Sequence, residues 1–298
     1  MKSGFVAIIG RPNAGKSTLM NALVGEKVSI VSWRPQTTRN KIIGIMTEGD
    51  VQVVFVDTPG IHSPKNELGR YMMKSVRTAT DGVDLVVFVA DAGREMDKRD
   101  LELLQKHVDS GIPVIAVLNK IDEVTREKTF SELSKLNDIS GLASVIPVSA
   151  LKGKNMEAVK TEIVRLIPES DVRYYPDDMI TDKSIRFMSA EIIREKALRC
   201  LSDEVPHGIG IEIRAFTDRE DGIIDIVADI ICEKDSHKGI IIGKGGAMLK
   251  RIGTYARQDI ESLVDAQVFL KLFVKVKEEW RDDTEVMKEL GYDKKNID

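Results

Sequence analysis

Short apolar runs recur along the first half of the chain, each ending in a polar or glycine-rich turn. Residues 5–9, 51–56, 84–90, 113–118 and 145–148 are such runs, rich in Val and Ile. Apolar runs of this length bounded by turn signals read as strands buried on both faces, as in parallel sheets. Stretches with helical character lie between or after them, over 18–24, 96–107 and 155–167. Strands alternating with helices predict an α/β domain, a mostly parallel sheet flanked by helices.

The pattern changes after Pro168. Residues 171–182 are acidic and linker-like and contain Tyr174-Tyr175-Pro176-Asp177-Asp178. A helix of about twenty residues is then expected, capped by Asp182, its core stripe including Ala190, Ile193, Ala197 and Leu201. Ile209, Ile211, Ile213 and Ala215 alternate with polar residues as in a half-buried strand. A turn over 217–222 and a strand over 223–232 follow. An apolar segment leads to a glycine turn, then a helix from Ala247, a break at Gly253, and a helix to Leu263. Val268, Leu270, Leu272, Val274 and Val276 alternate as a last strand. The expected organisation is an α/β domain over 1–170, a linker over 171–182 and an α+β domain over 183–298.

At 298 residues, 42% hydrophobic and 31% charged, the composition is that of a globular chain. Runs such as 85–90 are too short to span a bilayer, and the first residues do not read as a signal peptide. The two cysteines, Cys200 and Cys232, have no metal or redox spacing and are expected to be buried thiols in a reducing cytosol. From Asp171 onward there are 21 Lys+Arg and 27 Asp+Glu, a charge of −6, which leaves +2 for the first 170 residues. One window departs from this: 236–258 holds Lys238, Lys244, Lys250, Arg251 and Arg257 and no acid.

Gly10-Arg11-Pro12-Asn13-Ala14-Gly15-Lys16-Ser17 fits the phosphate-loop pattern G-x-x-x-x-G-K-[ST], between an expected strand and an expected helix. Such a loop turns successive backbone N–H groups inward at phosphate oxygens, and the helix start adds its own unpaired donors. Gly10, Asn13, Ala14, Gly15, Lys16, Ser17 and Thr18 are the candidate phosphate-binding residues, with Lys16 on the outer phosphates and the Ser17 hydroxyl on Mg²⁺. In the polar segment 34–39, a threonine can complete the Mg²⁺ shell when a γ-phosphate is bound, and both Thr37 and Thr38 are candidates. The run 51–56 ends in Asp57-Thr58-Pro59-Gly60. A carboxylate there can hold Mg²⁺ through a water, and the Gly60 N–H can sense the γ-phosphate. Residue 61 is Ile, which cannot orient an attacking water, so hydrolysis is expected to be slow or to borrow a group. The side-chain carbonyl of Asn13 is a candidate ligand for K⁺, whose charge would replace part of an arginine finger.

Run 113–118 leads into Asn119-Lys120-Ile121-Asp122. Guanine presents N1–H and an amino group on one edge, so the single carboxylate of Asp122 can accept both, and adenine offers no such pair. Lys120 can cover the base plane, Asn119 can tie this loop to the phosphate loop, and Ala150 of Ser149-Ala150-Leu151 can donate its N–H to guanine O6. All these motifs fall where α/β sheets bind ligands, at the carboxyl ends of strands. In the second domain, Gly243-Lys244-Gly245-Gly246 is a G-x-x-G turn inside the acid-free window. KH domains clamp single-stranded nucleic acid with such a loop. Gly243, Lys244, Gly245, Gly246, Lys238, Lys250 and Arg251 are the candidate RNA-binding residues. Trp280 can stack on a base or pack in the core.

With Gln36-Thr37-Thr38-Arg39-Asn40, Ala190-Glu191-Ile192-Ile193-Arg194-Glu195-Lys196 and Val274-Lys275-Val276-Lys277 before Trp280, these motifs make the whole chain resemble the bacterial Era GTPases. The resemblance implies a P-loop GTPase domain followed by a type II KH domain. It implies a switch that hydrolyses GTP with Mg²⁺, with Thr38 as the Mg²⁺-linked threonine. The implied partners are the single-stranded 3′ end of small-subunit rRNA and the small ribosomal subunit, with a role in its assembly. A monomer without a DNA partner is expected, in the cytoplasm and peripherally on the cytoplasmic face of the membrane. The alternative is an RNA-binding protein whose nucleotide is structural and uncoupled from RNA affinity.

Overall fold

The computed structural model describes residues 1–34, 37–60, 64–202 and 205–293. They form two compact units: Met1–Val31 with Thr38–Ser63 and Met72–Asp182, and Lys183–Asp298 with Ser32–Thr37 and Pro64–Tyr71.

The first unit is built on a six-stranded sheet. Its strands are β1 (Lys2–Gly10), β2 (Ile42–Glu48), β3 (Val51–Asp57), β4 (Leu85–Asp91), β5 (Val114–Asn119) and β6 (Ser144–Pro147), in spatial order β2-β3-β1-β4-β5-β6. The pairings among β3, β1, β4, β5 and β6 are parallel, and only β2 runs antiparallel, against β3. The helices of this part of the chain are α1 (Lys16–Val24), α2 (Glu67–Thr78), α3 (Lys98–Asp109), α4 (Arg126–Asn137) and α5 (Met156–Leu166). Val6, Ala7, Ile8, Ile9, Val87 and Ile115 have no exposed surface, as expected of strands covered on both faces. Three elements escaped the periodicity reading: α2, α4 and β2. The last had a signal in Glu48-Gly49-Asp50, where Gly49 turns the chain at φ 56°. Helix α3 starts two residues later than expected because Asp97 caps it, accepting from the amides of Arg99 and Asp100.

Residues 171–182 are not a free linker. The Ser3 hydroxyl donates to the Val172 carbonyl at 2.6 Å, and Gln52 exchanges hydrogen bonds with the backbone of Tyr174 and Tyr175. The Ile45 amide donates to the Ile180 carbonyl at 2.8 Å, and the Thr181 hydroxyl to the Ile43 carbonyl at 2.7 Å. An edge strand leaves such groups unpaired, and this segment pairs some of them.

The second unit contains α6 (Ile185–Cys200), a 3₁₀ turn (Val205–Gly208), β7 (Gly210–Asp218), β8 (Ile224–Cys232), α7 (Asp235–Ile242), α8 (Ala247–Val264), β9 (Val268–Val276) and α9 (Thr284–Glu289). The sheet order is β7-β8-β9, with β7 antiparallel and β9 parallel to β8. The core joins α6, α8 and one sheet face through Ile193, Ala197, Ile226, Ile230, Ile252 and Ile260. Ser184, not Asp182, caps α6, because its hydroxyl reaches the Phe187 amide, and the helix has 16 residues. Its burial goes beyond one apolar stripe. Glu191, Arg194, Glu195 and Lys196 are also buried, which is tolerable because they are paired: Arg194 with Glu191, Arg199 with Glu195, and Lys196 with Asp259. Arg194 also donates to the Thr37 carbonyl, and Arg34 to the carbonyls of Leu198 and Leu201 at the end of α6.

Helix α8 is continuous, and the expected break at Gly253 does not occur. A Cβ there would lie 3.4 Å from Leu272 on β9, an ordinary contact distance, so neither a break nor a steric need for glycine is found at this position. Trp280 has no exposed surface and donates its indole N–H to the Gly208 carbonyl at 2.9 Å, so it belongs to the core. Cys232 is buried, whereas Cys200 at the end of α6 is partly exposed. No helix among the described residues is long and apolar enough to cross a membrane.

Candidate functional site

The end of β1 turns into α1 through the glycine-rich loop. Gly15 takes φ 93°, and a Cβ there would fall 2.2 Å from the Asn119 amide nitrogen. Both the turn and the close approach therefore require glycine. The Lys16 ammonium is almost buried and donates to the carbonyls of Gly10 at 3.1 Å and Arg11 at 2.9 Å. Burial pushes its pKa down to about 8, opposed by the nearby Asp57 carboxylate. Thr18 follows in the first turn of α1, and Asn13 holds a left-handed backbone at φ 64°.

Asp57, at the end of β3, is fully buried, and burial pushes its pKa up against the pull of Lys16 and three hydroxyls. Its Oδ2 accepts from Ser17 at 2.6 Å and from Ser29 at 3.1 Å, with the Thr38 hydroxyl at 3.4 Å. Ser17 Oγ and Thr38 Oγ1 are 2.9 Å apart. The geometry thus separates the two candidate threonines: Thr38 joins the oxygen cluster, and the Thr37 hydroxyl donates to the Arg34 carbonyl at 2.6 Å. Asp57 Oδ1 is buried without a hydrogen-bond partner. An orphaned carboxylate oxygen beside two hydroxyls is a donor set for a hard cation. Ser29 is part of this cluster and was not singled out from sequence, because a lone serine in a loop carries no pattern.

Thr58 donates its hydroxyl to the Ile8 carbonyl at 3.1 Å. After Pro59, Gly60 passes so near the phosphate loop that a Cβ would sit 2.6 Å from Pro12 Cα. Residue 61 lies outside the described residues. Arg11 ties the loop to α3 through ion pairs with Asp97 and Asp100, two partners the motif pattern does not reveal.

The candidate base-reading loops lie at the ends of β5 and β6. Asn119 is buried and bridges them: its amide donates to the Ala14 carbonyl at 2.9 Å, and its Oδ1 accepts from the Ala150 amide at 3.0 Å. The Ala150 N–H, the candidate donor to guanine O6, is therefore engaged by Asn119 here. Lys120 takes φ 67° and pairs with Asp91 at 2.6 Å, while the Asp122 carboxylate is exposed. Asp91 was legible by position, since it ends β4 as Asp57 ends β3. Ser149 is buried and accepts the Lys152 amide, and Leu151 is 69% exposed.

In the second unit, Gly243, Gly245 and Gly246 all take positive φ in the turn between α7 and α8. Lys244 and Gly245 are exposed, as are Lys250 and Arg251 on α8, while Lys238 on α7 is half-buried. Beside the turn is a cavity of about 370 Å³ lined by Gly246, Leu249, Lys250, Arg257, Leu270 and Leu272. A basic, glycine-edged groove between a helix and an edge strand suits a single-stranded nucleic-acid backbone.

A phosphate loop, an oxygen cluster suited to a divalent cation and a candidate guanine-reading loop pair, followed by a G-x-x-G groove, are the features of a P-loop GTPase carrying a KH domain. Residues 5–120 match the family described as 50S ribosome-binding GTPase, and residues 204–281 match the KH domain. The chain belongs to the GTPase Era family: it is 53% identical to GTPase Era of Clostridium kluyveri over 98% of its length and 99% of that protein's, and 54% identical to that of Clostridium novyi over 98% and 99%. It is also similar to the crystal structure of a point variant of Aquifex aeolicus Era bound to GDP·AlF4⁻ (38% identity, TM-score 0.93, 98% of this chain and 100% of that one). A second structure, Era with MgGDPNP and nucleotides 1506–1542 of 16S ribosomal RNA, matches with 38% identity and TM-score 0.93 over 98% and 99%.

Proposed function

We propose that this GTPase is a GTP-operated switch that binds the 3′ end of small-subunit rRNA and acts in assembly of the small ribosomal subunit. The full-length likeness to the Era structure holding MgGDPNP and 16S rRNA nucleotides 1506–1542 supports it most directly. Ser17, Thr38 and Asp57 would hold Mg²⁺, Asp57 through water, and the ion would supply charge neutralisation at the β- and γ-phosphates. Lys16 sits where its ammonium can leave the Gly10 and Arg11 carbonyls for phosphate oxygens. Asp122 and Ala150 select guanine, and Asn119 holds that loop against the phosphate loop. Ordering of Thr38 and of the Asp57–Gly60 segment around the γ-phosphate is the switch. K⁺ bound by Asn13 is the further cation of this proposal, and hydrolysis at equal rates in K⁺ and Na⁺ would remove it. The place of action is the cytoplasm, with peripheral membrane association.

The test is binding of a single-stranded RNA from the rRNA 3′ end to protein loaded with GDP, with a non-hydrolysable GTP analogue, or with no nucleotide. Tighter binding in the GTP state, lost on Gly245→Asp, is expected. Equal binding in all three states would mean that nucleotide and RNA are uncoupled and the nucleotide is structural.

A further inference from the structure

Strand β9 has two faces with different chemistry. Val268 and Val274 are buried against the helices, and Leu270 and Leu272 line the groove beside the G-x-x-G turn. The other face carries Phe269, Lys271, Phe273 and Lys275 in strict alternation, all exposed. Phe269 is 56% exposed and Phe273 40%. Two open phenylalanines on one strand face are unusual for a surface, and they lie four residues apart, about 13 Å along the strand.

Cations sit over both rings: the Arg219 guanidinium lies 5.5 Å from the Phe269 centroid, and the Lys271 ammonium 5.3 Å from that of Phe273. The acids of this sheet face are each near a cation. Asp225 is held by Arg219 at 2.6 Å, buried Asp229 by Lys275 at 2.6 Å, and Glu212 lies 3.8 Å from Lys277. Lys277 is held more closely by Glu289, at 2.8 Å, so the outward layer is aromatic with its charges largely paired and Lys271 outside those pairs, although the chain from Asp171 onward is acidic overall. Aromatic side chains interleaved with cations on a flat sheet form a stacking platform for bases. A loop protruding into lipid would look different, since here the rings lie on the sheet and not at a tip.

We propose that the open face of the β7-β8-β9 sheet is a second contact surface for single-stranded RNA, with Phe269 and Phe273 stacking bases that have passed over edge strand β9 from the groove. The inference rests on the reading that the second unit binds RNA. A G-x-x-G loop clamps about four nucleotides, so a longer strand must leave the groove. Because β9 is an edge strand and one wall of the groove, the strand that exits there meets this face first.

The test uses the full chain loaded with a non-hydrolysable GTP analogue and two labelled RNA probes from the rRNA 3′ end, one of roughly 4 nucleotides and one of roughly 12. Phe269→Ala and Phe273→Ala are each expected to weaken the longer probe about 5- to 150-fold, the range for one stacked base, and to leave the shorter probe and basal GTP hydrolysis unchanged. Phe273→Trp retains binding, and Phe273→Leu behaves like alanine, which a merely apolar contact would not show. Unchanged binding of the longer probe in the double alanine variant, with Gly245→Asp still abolishing both probes, overturns the second surface and leaves the groove intact. No binding of either probe to the unaltered chain overturns both readings. Loss of binding to anionic lipid vesicles with RNA binding unchanged would assign the face to a membrane and likewise overturn the proposal.

Discussion

The hydroxyls of Ser17 and Thr38 lie 2.9 Å apart, and both point at one oxygen of the buried Asp57 carboxylate. The two residues are 21 positions apart and come from the start of α1 and from an irregular segment. Thr38→Ala removes one oxygen from this cluster. A lost hydrogen bond or ligand bond to a charged group is worth about 1.5–3 kcal/mol, so the preference for Mg-GTP over Mg-GDP should fall roughly 10- to 150-fold, and Thr38→Ser should restore it. Titration with Mg²⁺ in the presence of each nucleotide measures this, and an unchanged preference would exclude Thr38 from the switch.

Lys16 gives a pH dependence whose sign is fixed. Its free-state pKa is about 8, and bound phosphate holds it charged at higher pH. Below about pH 8 both states carry the proton and affinity is flat from this group. Above it, binding takes up a proton and affinity falls as pH rises. Calorimetry in buffers of different ionisation enthalpy should show proton uptake near pH 9 and none near pH 7, and Lys16→Arg should abolish the difference.

Asn119→Ala leaves the buried Ala14 carbonyl and Ala150 amide without partners. Each orphan costs about 1–3 kcal/mol, and about 1 kcal/mol shifts the melting temperature of a domain this size by roughly 2–4 °C. Thermal unfolding of the nucleotide-free protein should therefore drop by several degrees. Asp122→Asn, whose carboxylate is exposed, should leave unfolding unchanged but lower GTP affinity roughly 10- to 100-fold, and a xanthine nucleotide should recover binding because its C2 carbonyl can accept from the new amide.

Gly253 sits inside α8 with 3.4 Å of room before Leu272. Gly253→Ala adds an ordinary contact and gains helix propensity, so stability should rise by roughly 0.5–1 kcal/mol, and Gly253→Val should lower it. Denaturant titration distinguishes the two. A loss of stability in Gly253→Ala would show that the helix–strand gap is already full.

Buried Arg194 is paired with Glu191 through two nitrogens. Arg194→Ala strands the carboxylate, at about 3–5 kcal/mol, whereas Arg194→Met with Glu191→Met should recover most of that loss, the remainder being the lost hydrogen bond to the Thr37 carbonyl. The comparison by denaturant midpoint separates the ion pair from packing.

The apolar runs of the first unit and the glycine-rich and acidic motifs at their ends were readable in the sequence because both are local. A buried parallel strand needs a continuous apolar stretch, and a phosphate loop needs glycines at fixed spacing. Length, composition and order of motifs then determined the class of each domain. Helix bounds were less readable, since Ser184 competes with Asp182 and Asp97 overrides the hydrophobic period, and a cap is decided by which side chain reaches the N3 amide. Tertiary structure alone decided the rest. It placed Thr38 and not Thr37 beside Ser17, engaged the Ala150 amide with Asn119, and packed α8 unbroken through Gly253 against β9. It also turned the F-x-x-x-F spacing of β9 into an open aromatic face. Each of these depends on residues far apart in the chain coming within about 3–4 Å, and hydrogen bonding and packing at that range leave no signature in local sequence.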